Sequence, residues 1–264
     1  MAIIGGITMA KLTLQYCSDL HLEFPKNLAY LKANPIIPTG EILILAGDII
    51  PFQMIPHFDW FFDQIQTQFK AVYWIAGNHE YYGSDISLRS GTFHEKIRDN
   101  IHLVNNYRLD LDACTLLFTT LWSEISPQNF MQIQRGMSDY YHIKNGDRPF
   151  NPNDSTQLFK ENVDFLKTAL NEMTQIKNQI IVTHHVPTYE NYPSQFKNSP
   201  LNNAFATELA PLIRDHSISH WIYGHSHCNV PDFKIGNTVL TNNQLGYVSH
   251  SEHFDYRKVA TIEL

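Results

Sequence analysis

Five short stretches of this chain place metal-binding or proton-moving side chains on a turn. They are Ser18-Asp19-Leu20-His21, Gly47-Asp48, Gly77-Asn78-His79-Glu80, His184-His185 and Gly224-His225-Ser226-His227. Taken singly, each has an ordinary reading: Asp-x-His is commonly an Asx turn, and His-x-His is commonly two surface residues. Each of the five, however, directly follows a short apolar run. Polar residues at the carboxyl ends of sheet strands converge on one crevice, so five coincidences would be needed to leave these residues without a shared purpose.

The donor types also agree with one another. Asp, Asn and His offer oxygen and nitrogen without thiolate, a set suited to Mn²⁺, Fe or Zn²⁺ and poorly suited to Ca²⁺ or a purely structural zinc. One carboxylate can bridge two ions roughly 3.5–4 Å apart, the separation used for phosphoryl displacement. Two carboxylates, Asp19 and Asp48, set against two dications leave a net local charge of about +2, which attracts a phosphate anion and lowers the pKa of a bound water.

The elements that must carry these turns are legible as alternating strands and helices. Leu12–Cys17, Ile42–Ala46, Val72–Ala76, Leu116–Thr119, Ile180–Thr183 and Ile218–Tyr223 are apolar, rich in β-branched and aromatic residues, and bounded by polar or glycine turns, the pattern of buried strands. Phe58, Phe61, Phe62, Ile65 and Phe69 recur at helical spacing. Asp154 followed by Gln157 resembles a capping box, and Leu158, Phe159, Val163, Leu166, Leu170 and Met173 continue with helical period. Beyond Val230 the pattern turns to strands at Phe233–Ile235 and Val239–Thr241 around Gly236-Asn237, with a last strand near Val259–Glu263. The class is α/β or α+β in several layers. One domain over residues 1–264 is expected, with an irregular insertion near 122–154 beside the site, because long irregular segments in compact domains are usually functional.

Composition narrows the function. A chain of 264 residues with 43% apolar and 17% charged residues is globular. A net charge of −7 argues against a large nucleic-acid surface. The three cysteines, Cys17, Cys114 and Cys228, form no CxxC pair and no disulfide framework, which fits a cytoplasmic setting. Cys17 and Cys228 flank the motifs and are read as small packing residues. Met1–Ala10 lacks the charged start of a signal peptide, Met9 is an alternative natural start, and no apolar run is long enough to span a membrane.

As an ordered set, Asp19-x-His21, Gly47-Asp48, Gly77-Asn78-His79-Glu80, His184 and Gly224-His225-x-His227 resembles the calcineurin-like metallophosphoesterases, over residues 12 to 228. The resemblance implies two facing mixed β-sheets flanked by helices, a four-layer sandwich. It implies one metal on Asp19, His21 and His227, another on Asn78, His184 and His225, and Asp48 bridging them. A bridging hydroxide would attack phosphorus, with His79 protonating the leaving alcohol or orienting the phosphate, and the Asn78 amide helping to stabilise the phosphoryl oxygens. The chain departs from the pattern at Pro51, where many members carry a second Asp, which puts the outer support of the first metal in question. Of the adjacent pair, His184 is favoured over His185 because it immediately follows the strand, and Glu80 is read as a hydrogen-bonding partner of the site.

Tyr82, Trp122, Asp139 and Tyr140 are the candidates for contacting substrate, with Tyr81 and Tyr223 as further aromatics. The expected activity is hydrolysis of a phosphomonoester or phosphodiester with two divalent ions (Mn, Fe or Zn), on a phosphorylated substrate whose identity the sequence leaves open. Two readings compete: a non-catalytic metal-binding or interaction module on the same fold, and a nuclease of short or single strands. The complete ligand set with His79 favours the enzyme, and the acidic charge weighs against the nuclease.

Overall fold

The computed structural model describes residues 11–172 and 178–264; the expectations for Met9 and Met173 lie outside them. In chain order the first half contains β1 (Thr13–Cys17), α1 (Pro25–Ala33), β2 (Ile42–Ala46), α2 (Asp59–Gln68), β3 (Ala71–Ile75), β4 (Phe93–Arg98), β5 (Ile101–Asn105), β6 (Tyr107–Asp110) and β7 (Cys114–Thr119). There follow α3 (Phe130–Gly136), α4 (Asp139–His142), β8 (Lys144–Asn145), β9 (Arg148–Pro149), α5 (Pro152–Glu172) and β10 (Asn178–Thr183). The chain continues with α6 (Asn202–Phe205), α7 (Ala210–Asp215), β11 (His220–Tyr223), β12 (Phe233–Ile235), β13 (Thr238–Asn242) and β14 (Thr261–Glu263).

Two six-stranded mixed sheets result, in the orders β14-β1-β2-β3-β5-β4 and β12-β13-β11-β10-β7-β6. In each, four inner strands run parallel and an antiparallel strand closes either edge. Side-chain alternation divides the inner strands. Leu14, Tyr16, Ile44, Leu116, Phe118, Ile180, Val182 and Ile222 form a core between the sheets, joined by a 2.6 Å hydrogen bond between Tyr16 Oη and Thr241 Oγ1 and a stacked Tyr73–Phe118 pair. The alternate residues, among them Leu45, Trp74, Leu117 and Ile181, face the helices, with α2 against β3 and α5 against β7. Burial on both faces is why these strands read as unbroken apolar runs. It also leaves polar side chains to the turns at the strand ends, where all five motifs lie.

Four details differ from the sequence expectation, the first being the inner strand β5, Ile101–Asn105, which the sequence reading does not contain. The antiparallel strands β4 and β6 have no apolar run: Phe93-His-Glu-Lys-Ile-Arg98 and Tyr107-Arg-Leu-Asp110 are edge sequences with half-exposed side chains. Helix α5 begins at Pro152, earlier than expected. Asn151 Oδ1 accepts the Asn153 amide at 2.9 Å and Asp154 Oδ2 accepts the Asn151 amide at 2.9 Å, so the reciprocal cap is Asn151 with Asp154. Gln157 instead donates to Glu161. The segment 122–154, expected to be irregular, holds α3, α4 and the small β8–β9 hairpin.

Candidate metal centre

Register brings the motifs together. Cys17 pairs with Leu45 and Ala46 with Ile75, so Asp19, Asp48 and Asn78 leave neighbouring strands of one sheet at the same end. Val182 pairs with Ile222, which sets His184 beside His225 on the other sheet. The turns are sharp: Asp19, His21, Asp48, His225 and His227 all adopt positive φ, between 46° and 73°, a conformation that costs non-glycine residues of order 1–3 kcal/mol. Two glycines make room for the donors. A Cβ on Gly77 would stand 2.7 Å from His184 Nε2 and collide with the Asp48 carboxylate, and one on Gly47 would stand 2.7 Å from His184 Cγ.

Among the described residues three groups of donors could hold a metal: Asp19, His21, Asp48 and His227; Asp48, His184 and His225; and His21, Glu23 and His79, of which the first two share Asp48. In the first, His21 Nε2 and His227 Nε2 approach to 2.9 Å, with Asp19 Oδ1 3.4 Å from His227 Nε2. In the second, His184 Nε2 lies 3.1 Å from His225 Nδ1 and 3.2 Å from Asn78 Oδ1. Asp48 Oδ2 is 3.7 Å from His21 Nε2 and 3.4 Å from His184 Nε2, which puts one carboxylate between the groups.

The outward nitrogens settle how these rings are held. His21 Nδ1 donates to Glu23 and His227 Nδ1 to Glu252, while His184 Nδ1 meets the Ala46 carbonyl and His225 Nε2 the Ala204 carbonyl. Each ring thus spends its N–H outward and turns a lone pair inward, as imidazoles around a metal do. Two lone pairs facing each other at about 3 Å need a cation or a proton between them, so the donor set fits divalent ions.

Charge in the site follows the same pairing. Burial pushes the Asp48 carboxyl up, but the His184 and His79 imidazoles outweigh it and hold the group well below the usual carboxylate range. Burial lowers His227, yet Asp19 and Glu252 bring it up to about 10. Burial lowers His184 too, yet Asp48 brings it up to about 9. Burial keeps His21 low, and burial with His185 and His184 alongside keeps His225 well below the usual value. In each histidine pair one ring is thus held up and its neighbour down.

His79 stands beside this centre. Its amide donates to Asp48 Oδ1 at 2.9 Å, Nδ1 lies 2.9 Å from Glu23 Oε1, Nε2 faces Tyr247 Oη at 3.2 Å, and the ring stacks on Tyr82 with centroids 4.1 Å apart. Glu80 takes the amides of Asp48, Ile49 and Gly77 and the Trp74 indole N–H, fixing the two turns that hold Asp48 and Asn78. His185 turns away: buried, pushed down to about 3 by its burial and by His184, it packs on Trp122 and reaches the Thr120 carbonyl.

A cavity of about 820 Å³ opens over the centre. Of the four residues expected to contact substrate, Tyr82 lines it and three do not. Asp139 is buried and accepts from Asn78 Nδ2 at 2.8 Å and Tyr82 Oη at 2.7 Å; it orients Asn78 and takes up one of the amide N–H groups expected to face a phosphoryl oxygen. Trp122 packs among Tyr81, Phe150 and His185, and Tyr140 stacks on Phe150; both are core, because their large apolar rings are buried against one another around Phe150. Tyr81 and Tyr223 are buried as well. The segment 122–154 reaches the cavity instead through Gly136, Met137, Ser138 and His142.

Sequence reasoning missed Glu23, Tyr247 and Glu252. Glu23 carried a signal, since it continues Asp19-x-His21 by one more alternate position. Tyr247 and Glu252 carried none, being distant turn residues brought to His227 and His79 only by the closing of the fold. The family model for calcineurin-like phosphoesterases matches residues 14–229, and the chain belongs to that family. An uncharacterised protein, L509, of Acanthamoeba polyphaga mimivirus is 30% identical over 92% of this chain and 94% of its own length. Among solved structures, a phosphopantetheinyl hydrolase from Mycobacterium tuberculosis superposes with a TM-score of 0.70 at 16% identity, covering 96% of both chains. A dimetal phosphatase from Danio rerio gives 0.52 at 12% identity, covering 95% of this chain and 91% of its own. No helix among the described residues is long and apolar enough to cross a membrane.

Proposed function

We propose that the protein hydrolyses phosphomonoesters or phosphodiesters with two divalent ions, Mn, Fe or Zn, held side by side at this centre. Membership of a metal-dependent phosphoesterase family gives the class; the observation that carries the two-ion reading is Asp48, whose carboxylate belongs to two of the donor groups. Asp19, His21 and His227 would complete one site, and Asn78, His184 and His225 the other. Bound ions would supply Lewis acidity at the phosphoryl oxygens and an activated water.

The chain's own residues do the rest. The outward hydrogen bonds of the four histidines fix the donors before any ion arrives. Asp139 aims the Asn78 carbonyl oxygen inward. His79 lines the cavity; burial lowers its pKa, but Asp48 and Glu23 outweigh that and raise it, and its Nε2 is placed to give a proton to a leaving oxygen. The common fold with a dimetal phosphatase supports the same reading. Elemental analysis of protein loaded with Mn²⁺ should give two ions per chain, with turnover of p-nitrophenyl phosphate or its bis ester. One ion at saturation, or two ions with neither ester hydrolysed, overturns the proposal.

A further inference from the structure

The cavity has a chemical bias that the metal donors do not explain. Among the described residues, no lysine or arginine lines it. The carboxylates on its wall away from Asp48 are Glu23 and Glu252, both already bound to histidines of the centre. Phosphate-rich ligands are ordinarily clamped by Arg or Lys; here negative charge beyond the reacting phosphate would lie beside carboxylates with no lysine or arginine to meet it.

One side of the wall is apolar. Met137, Phe196, Leu201 and Phe205 come from two chain segments that lock together. A Cβ on Gly136 would stand 2.8 Å from Leu201 Cδ2, and Ser126 and Asn129 both donate to Asn203 Oδ1. The wall is therefore a built surface. Phe24 and Met54 add apolar area elsewhere in the lining, and the neutral polar groups present, such as Gln53 and Ser138, suit amides and hydroxyls.

We infer that the substrate carries a single phosphate, attached to an uncharged and largely apolar organic group that lies against Met137, Leu201 and Phe205. Nucleoside polyphosphates, oligonucleotides and acidic phosphopeptides are excluded as a class. This rests on the phosphoesterase reading above and narrows it.

The test is a series of p-nitrophenyl phosphodiesters whose second group is methyl, hexyl or 5-carboxypentyl. In each, water adds its oxygen to phosphorus, the P–O bond to p-nitrophenolate breaks, and the products are that anion, the alkyl phosphate and a proton. With leaving group and ions constant, kcat/KM should rise at least about tenfold from methyl to hexyl as apolar area is buried, and 5-carboxypentyl should fall to the methyl value or below. Met137→Lys should invert the order of hexyl and 5-carboxypentyl, its folding checked by thermal melting. If the variant does not fold, the native series decides alone. Equal rates for hexyl and 5-carboxypentyl, or a preference for the latter, overturn the inference while leaving the phosphoesterase reading intact. Failure of every diester together with p-nitrophenyl phosphate overturns that reading instead.

Discussion

One oxygen of Glu23 joins two rings: Oε1 lies 2.9 Å from His79 Nδ1 and 3.2 Å from His21 Nδ1. A carboxylate so placed selects the tautomer of both imidazoles and turns His79 Nε2 to the cavity. At Pro51, where many family members carry a second aspartate, there is no side-chain acceptor, and Glu23 supplies a carboxylate to His21 and His79 from the first strand's turn. Glu23→Gln should keep the ions and lower kcat by about 10–100-fold on an alkyl phosphate, the range of partial loss of acid–base help. The loss should be much smaller on p-nitrophenyl phosphate, whose leaving group needs no proton. Equal loss on both esters would count against this role.

Asp48→Asn removes the charge shared by the two groups of donors. At least one ion should be lost on dialysis, with kcat reduced by about three orders of magnitude or more and the circular dichroism spectrum retained. Mass spectrometry of the metal content reads the first outcome directly, and a variant that kept both ions and full turnover would show that Asp48 does not bridge.

Ion binding should release protons. His184, brought up to about 9, and His227, brought up to about 10, are protonated at neutral pH in the ion-free protein, and their inward nitrogens must be bare to bind metal. Affinity should therefore rise with pH from 6 towards about 9, and the number of protons expelled should fall as pH passes the two values. Calorimetric titration in buffers of different ionisation enthalpy measures this; identical heats in all buffers at pH 7 would contradict it.

Trp122→Ala should act on stability and leave substrate choice unchanged. With the indole buried among Tyr81, Phe150 and His185, the cost is about 3–5 kcal/mol, read as a shifted urea midpoint, and the ratio of kcat/KM between hexyl and methyl diesters should be unchanged. A change in that ratio would return Trp122 to the substrate.

The sequence exposes β1, β2, β3, β7, β10 and β11, six of the eight inner strands, because burial on both faces makes them continuous apolar runs, and it exposes the donors because they sit where those runs stop; the inner strand β5 goes unread. It hides β4 and β6, whose half-exposed edge positions carry mixed residues. The aromatic residues near the site mislead for a related reason: Trp122 and Tyr140 look alike in sequence whether a ring faces substrate or core, and only packing against Phe150 decides. Glu252 is legible only once the chain has closed, since nothing local links it to His227, 25 residues away.

The left-handed turns at Asp19, His21, Asp48, His225 and His227 have a bearing on how such a centre can decay. Aspartate, asparagine and histidine are the non-glycine residues most at home in that conformation, and they are also oxygen and nitrogen donors for the ions. Backbone and metal thus draw on the same short alphabet. A descendant that gave up its ions would lose the need for donors but keep the turns, so glycine and asparagine, and not valine or isoleucine, are the replacements that would accumulate. The imprint of the centre would outlast its chemistry.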